Sequence, residues 1–120
     1  MAHILLADDD QTPRDLVKRA LEAEGHSVEV TQDGMEALDT LKAKPGAADV
    51  LVSDVQMPGL DGILLASQAV EAQPQLRVLL MSAYPEQLER ARTIKGARIG
   101  VLSKPFTLEQ VRAAVRALLA

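Results

Sequence analysis

The sequence has no cysteine and no tryptophan, and its Phe and Tyr residues are limited to Phe106 and Tyr84. Without cysteine there is no disulfide framework and no thiolate metal site, so nothing indicates an oxidising compartment and a cytoplasmic location is expected. Two isolated aromatic rings are too few for a platform on which nucleobases stack. Nucleic acid is therefore not an expected partner.

Long hydrophobic runs and an excess of positive charge are also missing. The apolar run at residues 4–7 is far too short for a signal peptide or a membrane span, so no membrane association is expected. Thirteen Lys and Arg against seventeen Asp and Glu give a net charge of −4, which disfavours attraction to phosphate backbones. With no low-complexity segment, the 120 residues predict one globular domain over residues 1–120 with no output domain.

Short apolar runs alternate with longer amphipathic stretches along the whole chain. Five runs indicate strands buried on both faces of a sheet, at residues 4–7, 28–30, 50–52, 78–81 and 99–102. The stretches between them, of roughly ten or more residues, are typical of crossover helices. The pattern predicts an α/β fold, a doubly wound (βα)5 five-stranded parallel sheet whose functional sites lie at the carboxyl ends of the strands.

Capping signals place several helix ends. Three predicted helix starts are Thr12 before Pro13, Asp33 three residues before Glu36, and Thr107 three residues before Gln110. Gly25 is expected to end the first helix. The last predicted helix, residues 108–119, carries Val111, Val115 and Leu118 on one face and Arg112 and Arg116 on the other.

Polar side chains follow four of the five predicted strands. In chain order they are Asp8, Asp9 and Asp10, then Asp54, Ser82 and Lys104. If strands one, three, four and five are neighbours in the sheet, all except Asp10 converge on one cleft. Asp10 keeps the plain interpretation of a helix cap or loop residue.

The charges in this cleft predict a hard metal ion. Asp8, Asp9 and Asp54 outweigh the single cation Lys104, and the mutual repulsion of the carboxylates is unfavourable unless a cation joins them. Oxygen ligands with open coordination positions suit Mg²⁺ better than a calcium cage. A magnesium ion in such a site recruits phosphate oxygens, which Lys104 and Ser82 can also bind. Asp54 can then act as a nucleophile that forms an aspartyl phosphate.

Four motifs resemble those of the receiver domain of bacterial response regulators. They are Asp8-Asp9, the stretch DVQMPGLDG at residues 54–62, Ser82-Ala83 and Lys104-Pro105-Phe106, in the order and spacing of that family, and the resemblance covers residues 4–119. It implies a CheY-like, flavodoxin-like fold with strand order 2-1-3-4-5. It also implies a stand-alone, single-domain response regulator of a two-component system or phosphorelay.

The same resemblance implies the phosphorylation chemistry. Asp54 would accept a phosphoryl group from phosphohistidine on a sensor histidine kinase or a histidine phosphotransfer protein. Mg²⁺ would be held directly by Asp9, Asp54 and the backbone carbonyl of Gln56, and by Asp8 largely through water. The domain would catalyse only its own phosphorylation and dephosphorylation, so it is not expected to be an enzyme in the usual sense.

The switch residues are assigned on the same basis. Lys104 would pair with the phosphoryl oxygens, Ser82 would swing in to hydrogen-bond them, and the peptide bond before Pro105 would be cis. The family often has an aromatic residue three positions before this lysine, where the present sequence has Val101. We hypothesise that Tyr84, two residues after Ser82, partly takes over that role.

Partner surfaces are expected on two sides of the domain. The phosphodonor would dock near Thr12, Pro13, Leu16 and Phe106. A basic face for an unknown, acidic protein target would comprise Arg90, Arg92, Lys95, Arg98, Arg112 and Arg116. Phosphorylation would shift a two-state equilibrium of the loop after residues 78–81 and the helix following Tyr84, and a helix face built from Arg90 to Arg98 would move with them. A monomer or weak homodimer is expected.

Three other functions share parts of this pattern. A magnesium-dependent phosphohydrolase of the haloacid dehalogenase type would resemble Asp-x-Asp at its nucleophile, whereas Gln56 stands at the second position here. A flavin or nucleotide carrier would need a phosphate-binding loop after the first strand, where Asp8 and Asp9 would repel phosphate. A receiver-like binding module that is never phosphorylated is the third alternative.

Overall fold

Strands and helices alternate from one end of the chain to the other. The computed structural model describes residues 1–95 and 98–120. Its elements are β1 (His3–Ala7), α1 (Gln11–Ala23), β2 (Ser27–Thr31), α2 (Gly34–Ala43), β3 (Val50–Asp54), α3 (Gly62–Ala72), β4 (Arg77–Ser82), α4 (Pro85–Arg90), a 3₁₀ turn (Ala91–Thr93), β5 (Arg98–Ser103) and α5 (Leu108–Leu119). Each predicted strand is present and is one or two residues longer than its apolar run.

The five strands form one parallel sheet in the order β2-β1-β3-β4-β5. The predicted doubly wound α/β fold and its strand order are therefore confirmed. The register aligns Ala7 with Ser53, Asp54 with Met81, and Ser82 with Ser103. Because these pairs are level, the carboxyl ends of the four strands β1, β3, β4 and β5 open onto the same edge of the sheet.

Hydrophobic side chains fill both faces of the central strands. One cluster packs β1, β3 and β4 against α2 and α3, and the other packs the opposite face of these strands against α1 and α5. The prediction of strands buried on both faces is correct for β1, β3 and β4 and wrong for β2 and β5, whose residues are mostly exposed or partly buried. Both exceptions are edge strands, so they have a strand neighbour on one side only.

Two of the predicted helix starts are confirmed. The Asp33 side chain accepts a hydrogen bond from the backbone N–H of Glu36 at 2.8 Å. Thr107 and Gln110 form a reciprocal capping box before α5. These local bonds satisfy N–H groups that otherwise have no partner at a helix start.

The predicted start of the first helix is wrong by two residues. The N-cap of α1 is Asp10 and not Thr12, and Pro13 lies at the third helical position. Proline is accepted there because the N–H groups of the first turn have no intrahelical partner anyway. Gly25 follows the end of α1 with φ = +96°, as its predicted role requires. Among the described residues, no helix combines the length and hydropathy needed to cross a bilayer.

Candidate functional site

The four predicted site elements meet at the carboxyl edge of the sheet. Asp54 ends β3 and Ser82 ends β4, whereas Asp8 and Lys104 directly follow β1 and β5. The backbone N–H of Asp8 donates to the carbonyl of Thr31 at 3.2 Å, and that of Lys104 donates to the carbonyl of Ser82 at 2.9 Å. These bonds continue the sheet past the strand ends and hold the residues level with one another.

The carboxylates form a compact acidic cluster. One oxygen from each of Asp8, Asp9 and Asp54 lies within 4.8 Å of the others. Asp8 and Asp54 are buried, with 1% and 7% of their surface exposed, whereas Asp9 is open to solvent. Two buried anions and one accessible anion, all offering oxygen, are the donor set that a hard divalent cation prefers. The residues present therefore fit Mg²⁺.

The pKa of Asp8 shows what it costs to hold a buried carboxylate in this cluster. Burial raises the pKa of Asp8 to about 6, and the neighbouring charges of Asp54 and Asp9 act in the same direction. The backbone N–H of Asp10, which donates to Asp8 at 3.0 Å, and the Lys104 ammonium oppose the shift. A bound cation would remove most of this cost because it offsets both the desolvation and the repulsion.

Lys104 provides the positive charge in the cluster. Its ammonium donates to Asp54 Oδ2 at 3.0 Å, and the Lys104–Pro105 peptide is cis, as predicted. Beside this pair lies an open cleft of about 420 Å³, and its walls comprise Asp9, Asp10, Pro13, Asp54, Gln56, Ser82, Ala83, Tyr84 and Lys104. The structure thus brings together every residue of the predicted acceptor and metal site, and Gln56 lies exposed at the rim.

The backbone after Asp54 is packed too tightly for any side chain at position 62. A Cβ placed on Gly62 would lie 2.2 Å from the carbonyl oxygen of Asp54 and 2.8 Å from Val55 Cα. The Gly62 N–H donates to the Val55 carbonyl at 2.7 Å, and Asp61 caps α3 by accepting from the N–H of Leu64. The Asp-Gly at the end of the DVQMPGLDG motif therefore fixes α3 directly against the acceptor strand.

The predicted switch residues occupy different environments. Ser82 is buried, and its hydroxyl bonds to Gln87 and to the backbone of Tyr84 in the first turn of α4. Tyr84 is about half exposed and lines the cleft, while Val101 is exposed on β5. Sequence reasoning missed Gln87. Its five-residue separation from Ser82 matches no capping pattern, so no local signal marked the pair.

Arg14 is a second residue that the sequence analysis missed. Its guanidinium donates from Nη1 to the backbone carbonyl of Asp8 at 3.1 Å, while its Nε is buried without a hydrogen-bond partner among the described residues. It lies one turn into α1, since its N–H bonds to the carbonyl of Asp10. The helix periodicity could have placed it near the acidic pair, because α1 starts at Gln11, two residues after Asp9.

The predicted basic face is not a single open surface. Arg112 and Arg116 form ion pairs with Glu24 and Glu109, so their charge is largely matched. Among the described residues, Arg90 pairs with Asp61 and Arg92 with Glu89, while Arg98 donates to the carbonyls of Ala117 and Ala120. Lys95 is exposed. The stretch from Arg90 to Arg98 is also not one helix, because α4 ends at Arg90 and Arg98 belongs to β5; residues 96 and 97 lie outside the described residues.

The predicted donor-docking residues lie beside the cleft and on α1. Thr12 and Leu16 are exposed, with 46% of Leu16 accessible, and Pro13 lines the cleft. Phe106 is partly buried against the hydrophobic cluster under α1 and α5. Leu16 is an exposed apolar side chain about one helical turn after Pro13, which is compatible with a docking surface. Use of this surface by a phosphodonor stays a prediction.

The structure combines a five-stranded parallel sheet of order 2-1-3-4-5 with an acidic cluster and a lysine at its carboxyl edge. The family model of the response regulator receiver domain matches residues 4–116, and the chain belongs to this family. It is 39% identical over 116 residues to the response regulator MprA of Mycobacterium avium (strain 104), covering 97% of this chain and 50% of that protein. The chain thus spans about half the length of the curated relatives it matches.

Solved structures agree with this assignment. A response regulator receiver domain protein from Clostridium thermocellum is similar with a TM-score of 0.88 and 26% identity, covering 99% of this chain and 94% of that one. The response regulator TrrA from Thermotoga maritima, in complex with Mg²⁺-BeF, has a TM-score of 0.86 and 26% identity, covering 98% and 99% of the two chains. The domain is thus a receiver domain of a response regulator in two-component signalling.

Proposed function

We propose that this domain accepts a phosphoryl group on Asp54 from a phosphohistidine donor, with Mg²⁺, and that the phosphorylated form binds its protein target differently. The observation that carries the proposal is the buried Asp54 carboxylate, paired with Lys104 at 3.0 Å and clustered with Asp8 and Asp9 beside an open cleft. The similarity to TrrA, which was crystallised with Mg²⁺-BeF, a group of phosphoryl-like shape and charge, supports it.

The side chains divide the transfer step between them. The Asp54 carboxylate attacks phosphorus, a phosphorus–oxygen bond forms, and the phosphorus–nitrogen bond breaks, leaving the electron pair on the imidazole nitrogen, which takes up a proton. Lys104 moves its ammonium from the carboxylate to the incoming phosphoryl oxygens, and Ser82 donates its hydroxyl proton to one of them. Asp8, Asp9, Asp54 and the Gln56 carbonyl would hold Mg²⁺, whose charge would offset that of the phosphoryl group.

Hydrolysis of the aspartyl phosphate returns the domain to its resting state. In this proposal the domain catalyses only its own phosphorylation and dephosphorylation. A sensor histidine kinase or a histidine phosphotransfer protein is the partner that this chemistry requires. A cytoplasmic location stays a prediction. A stand-alone chain, the absence of nucleic-acid binding, and a monomer or weak homodimer stay predictions.

The test is intact-mass measurement after incubation with a small acyl phosphate, with and without Mg²⁺. We expect the mass of one phosphoryl group to be added only with Mg²⁺, and to be lost in Asp54→Asn. Asp10→Asn is the matched control, since Asp10 lines the same cleft without belonging to the acidic cluster. An adduct that persists in Asp54→Asn would place the phosphoryl group on another residue and contradict the proposal. Folded protein that forms no adduct would also contradict it, and would favour a receiver-like binding module that is never phosphorylated.

A further inference from the structure

The hydroxyl of Ser82 is already engaged in the resting domain. It donates to Gln87 Oε1 at 2.5 Å and accepts a hydrogen bond from the backbone N–H of Tyr84 at 3.0 Å. Ser82 is 2% exposed, so water does not compete freely for these bonds. A serine hydroxyl has a single proton to donate. It therefore cannot serve Gln87 and a phosphoryl oxygen at the same time.

Gln87 is positioned for this contact by the start of α4. It is the third residue of the helix, and its own backbone N–H donates to the carbonyl of Tyr84 at 3.0 Å. The helix has six residues, none of them buried. A helix this short gains little from its own hydrogen bonds. The side-chain bond from Gln87 to Ser82 consequently fixes its first turn to the end of β4.

We propose that Gln87 is a positioning residue that holds the Ser82 hydroxyl on α4 in the resting state and gives it up when Asp54 is phosphorylated. The proposal rests on the proposed function, since the competitor for the hydroxyl is the phosphoryl group. A phosphoryl oxygen is a charged acceptor and forms a stronger hydrogen bond than a neutral amide oxygen. The hydroxyl thus stays with Gln87 at rest and leaves it after phosphorylation.

This exchange couples the acceptor site to α4. When Ser82 turns to the phosphoryl group, the first turn of α4 loses its side-chain anchor to β4. Conversely, every interaction that stabilises the Ser82–Gln87 bond disfavours the phosphorylated arrangement, because the two states compete for one proton. Gln87 therefore sets part of the resting balance between the two states of the domain.

The experiment measures binding of beryllofluoride with Mg²⁺, so that no donor protein is needed. Gln87→Met keeps the length of the side chain and removes the acceptor, whereas Gln87→Glu retains an acceptor. Glu86→Met is the matched control, since it places the same residue on the exposed neighbouring position of the same turn. Each substitution at position 87 is also made in a Ser82→Ala background.

We expect Gln87→Met to tighten beryllofluoride binding by roughly tenfold, the order of one neutral hydrogen bond. Gln87→Glu and Glu86→Met should not tighten it, and the effect of Gln87→Met should vanish in the Ser82→Ala background. Unchanged binding in Gln87→Met, equal tightening in Glu86→Met, or tightening that persists without Ser82 would overturn the proposed role of Gln87. None of these results would contradict the proposed function. Failure of the unsubstituted protein to bind beryllofluoride would instead overturn the proposed function.

Discussion

The two halves of the site are built in different ways. The acidic half stands on β1 and β3, which are central strands with buried residues along nearly their whole length. The switch half stands on the end of β4, on the short α4, which has no buried residue, and on the partly exposed edge strand β5. The carboxylates proposed to accept the phosphoryl group and to hold Mg²⁺ thus stand on strands that are buried along nearly their whole length.

The contrast has a physical consequence for signalling. Segments with few buried contacts open and shift at a lower free-energy cost than the core does. A change in charge at Asp54 can therefore be transmitted through Ser82 and α4 while β1 and β3 stay in place. The comparison predicts that substitutions in the acidic half change stability strongly, whereas those in the switch half change mainly the response.

Substitution of two glycines, one beside Asp54 and one on β5, compares the stability of the two halves directly. Gly62→Ala should destabilise the domain by about 3 kcal/mol or more, because its Cβ would meet the Asp54 carbonyl at 2.2 Å where the backbone has no room to move. Gly100→Ala on β5 should cost less than about 1 kcal/mol, since its Cβ would make only ordinary contacts with Leu79 and Leu118 at 3.4 and 3.6 Å. Urea unfolding of both variants measures the difference.

Equal losses of unfolding free energy for Gly62→Ala and Gly100→Ala would contradict the comparison. They would show that the backbone beside Asp54 tolerates an added Cβ as well as the edge strand β5 does. Alanine has the better helix propensity, so a loss at Gly62 would reflect its contacts and not the helix itself.

Asp8→Asn should stabilise the metal-free domain. Because the folded pKa of Asp8 is raised from 3.8 to about 6, the folded state binds the proton more tightly than the unfolded chain does. Stability is then lost as pH rises from about 4 through 6, by at most about 3 kcal/mol. The amide that replaces the carboxyl group does not ionise, so the variant escapes this loss and should unfold at higher urea than the parent at pH 7.

The measurement is urea unfolding of parent and variant at pH 4, 5, 6 and 7, without Mg²⁺. The two should converge towards pH 4 and diverge at neutral pH, and Mg²⁺ should stabilise the parent much more than the variant. A parent that gains stability relative to Asp8→Asn as pH rises would contradict the expectation.

Lys104→Met should lower the free energy of unfolding less than Gly62→Ala does, because Lys104 belongs to the switch half and its side chain is 30% exposed. Loss of its ammonium removes the cation that pairs with the Asp54 carboxylate and should cost the metal-free domain roughly 1–2 kcal/mol at pH 7. Mg²⁺ should bind the variant more tightly, since one positive charge has left the acidic cluster. Titration with Mg²⁺ checks this, with the exposed Lys42→Met as the control.

Two kinds of feature could be predicted from the sequence: strands and helices with a regular hydrophobic period, and polar residues that directly follow a strand. Buried apolar runs identified the five strands, and the polar residues directly after them identified the acidic cluster and Lys104. These predictions succeed because parallel strands with right-handed crossovers bring their carboxyl ends to one edge. Caps at Asp33 and Thr107 were equally predictable because the bonds involved span only three residues.

Contacts between side chains of different segments were not predictable in this way. The pairing of Arg116 with Glu24 depends on how α5 packs beside the end of α1, and no local pattern shows that it neutralises the expected basic face. The Ser82–Gln87 bond depends on the angle at which α4 leaves β4. The start of α1 was misplaced because Thr12-Pro13 is a typical capping sequence, whereas the residue that precedes the helix is Asp10, two residues earlier.

Tyr84→Ala should produce the smallest effect and tests the switch half alone. Tyr84 is about half exposed at the cleft rim beside Asp54 and Lys104, whereas Val101 is exposed on the edge strand. If Tyr84 shields the aspartyl phosphate from water in place of the missing aromatic residue, its loss should shorten the phosphoform lifetime by less than about tenfold, which is under ~1.4 kcal/mol in the barrier. Stability in urea should barely change, because the ring is not part of the core.

The lifetime is measured by intact mass over time after removal of the phosphodonor, with Val101→Ala as the matched control. Because Val101 occupies the position of the missing aromatic residue, a lifetime that changes in Val101→Ala but not in Tyr84→Ala would assign the role to the edge strand instead.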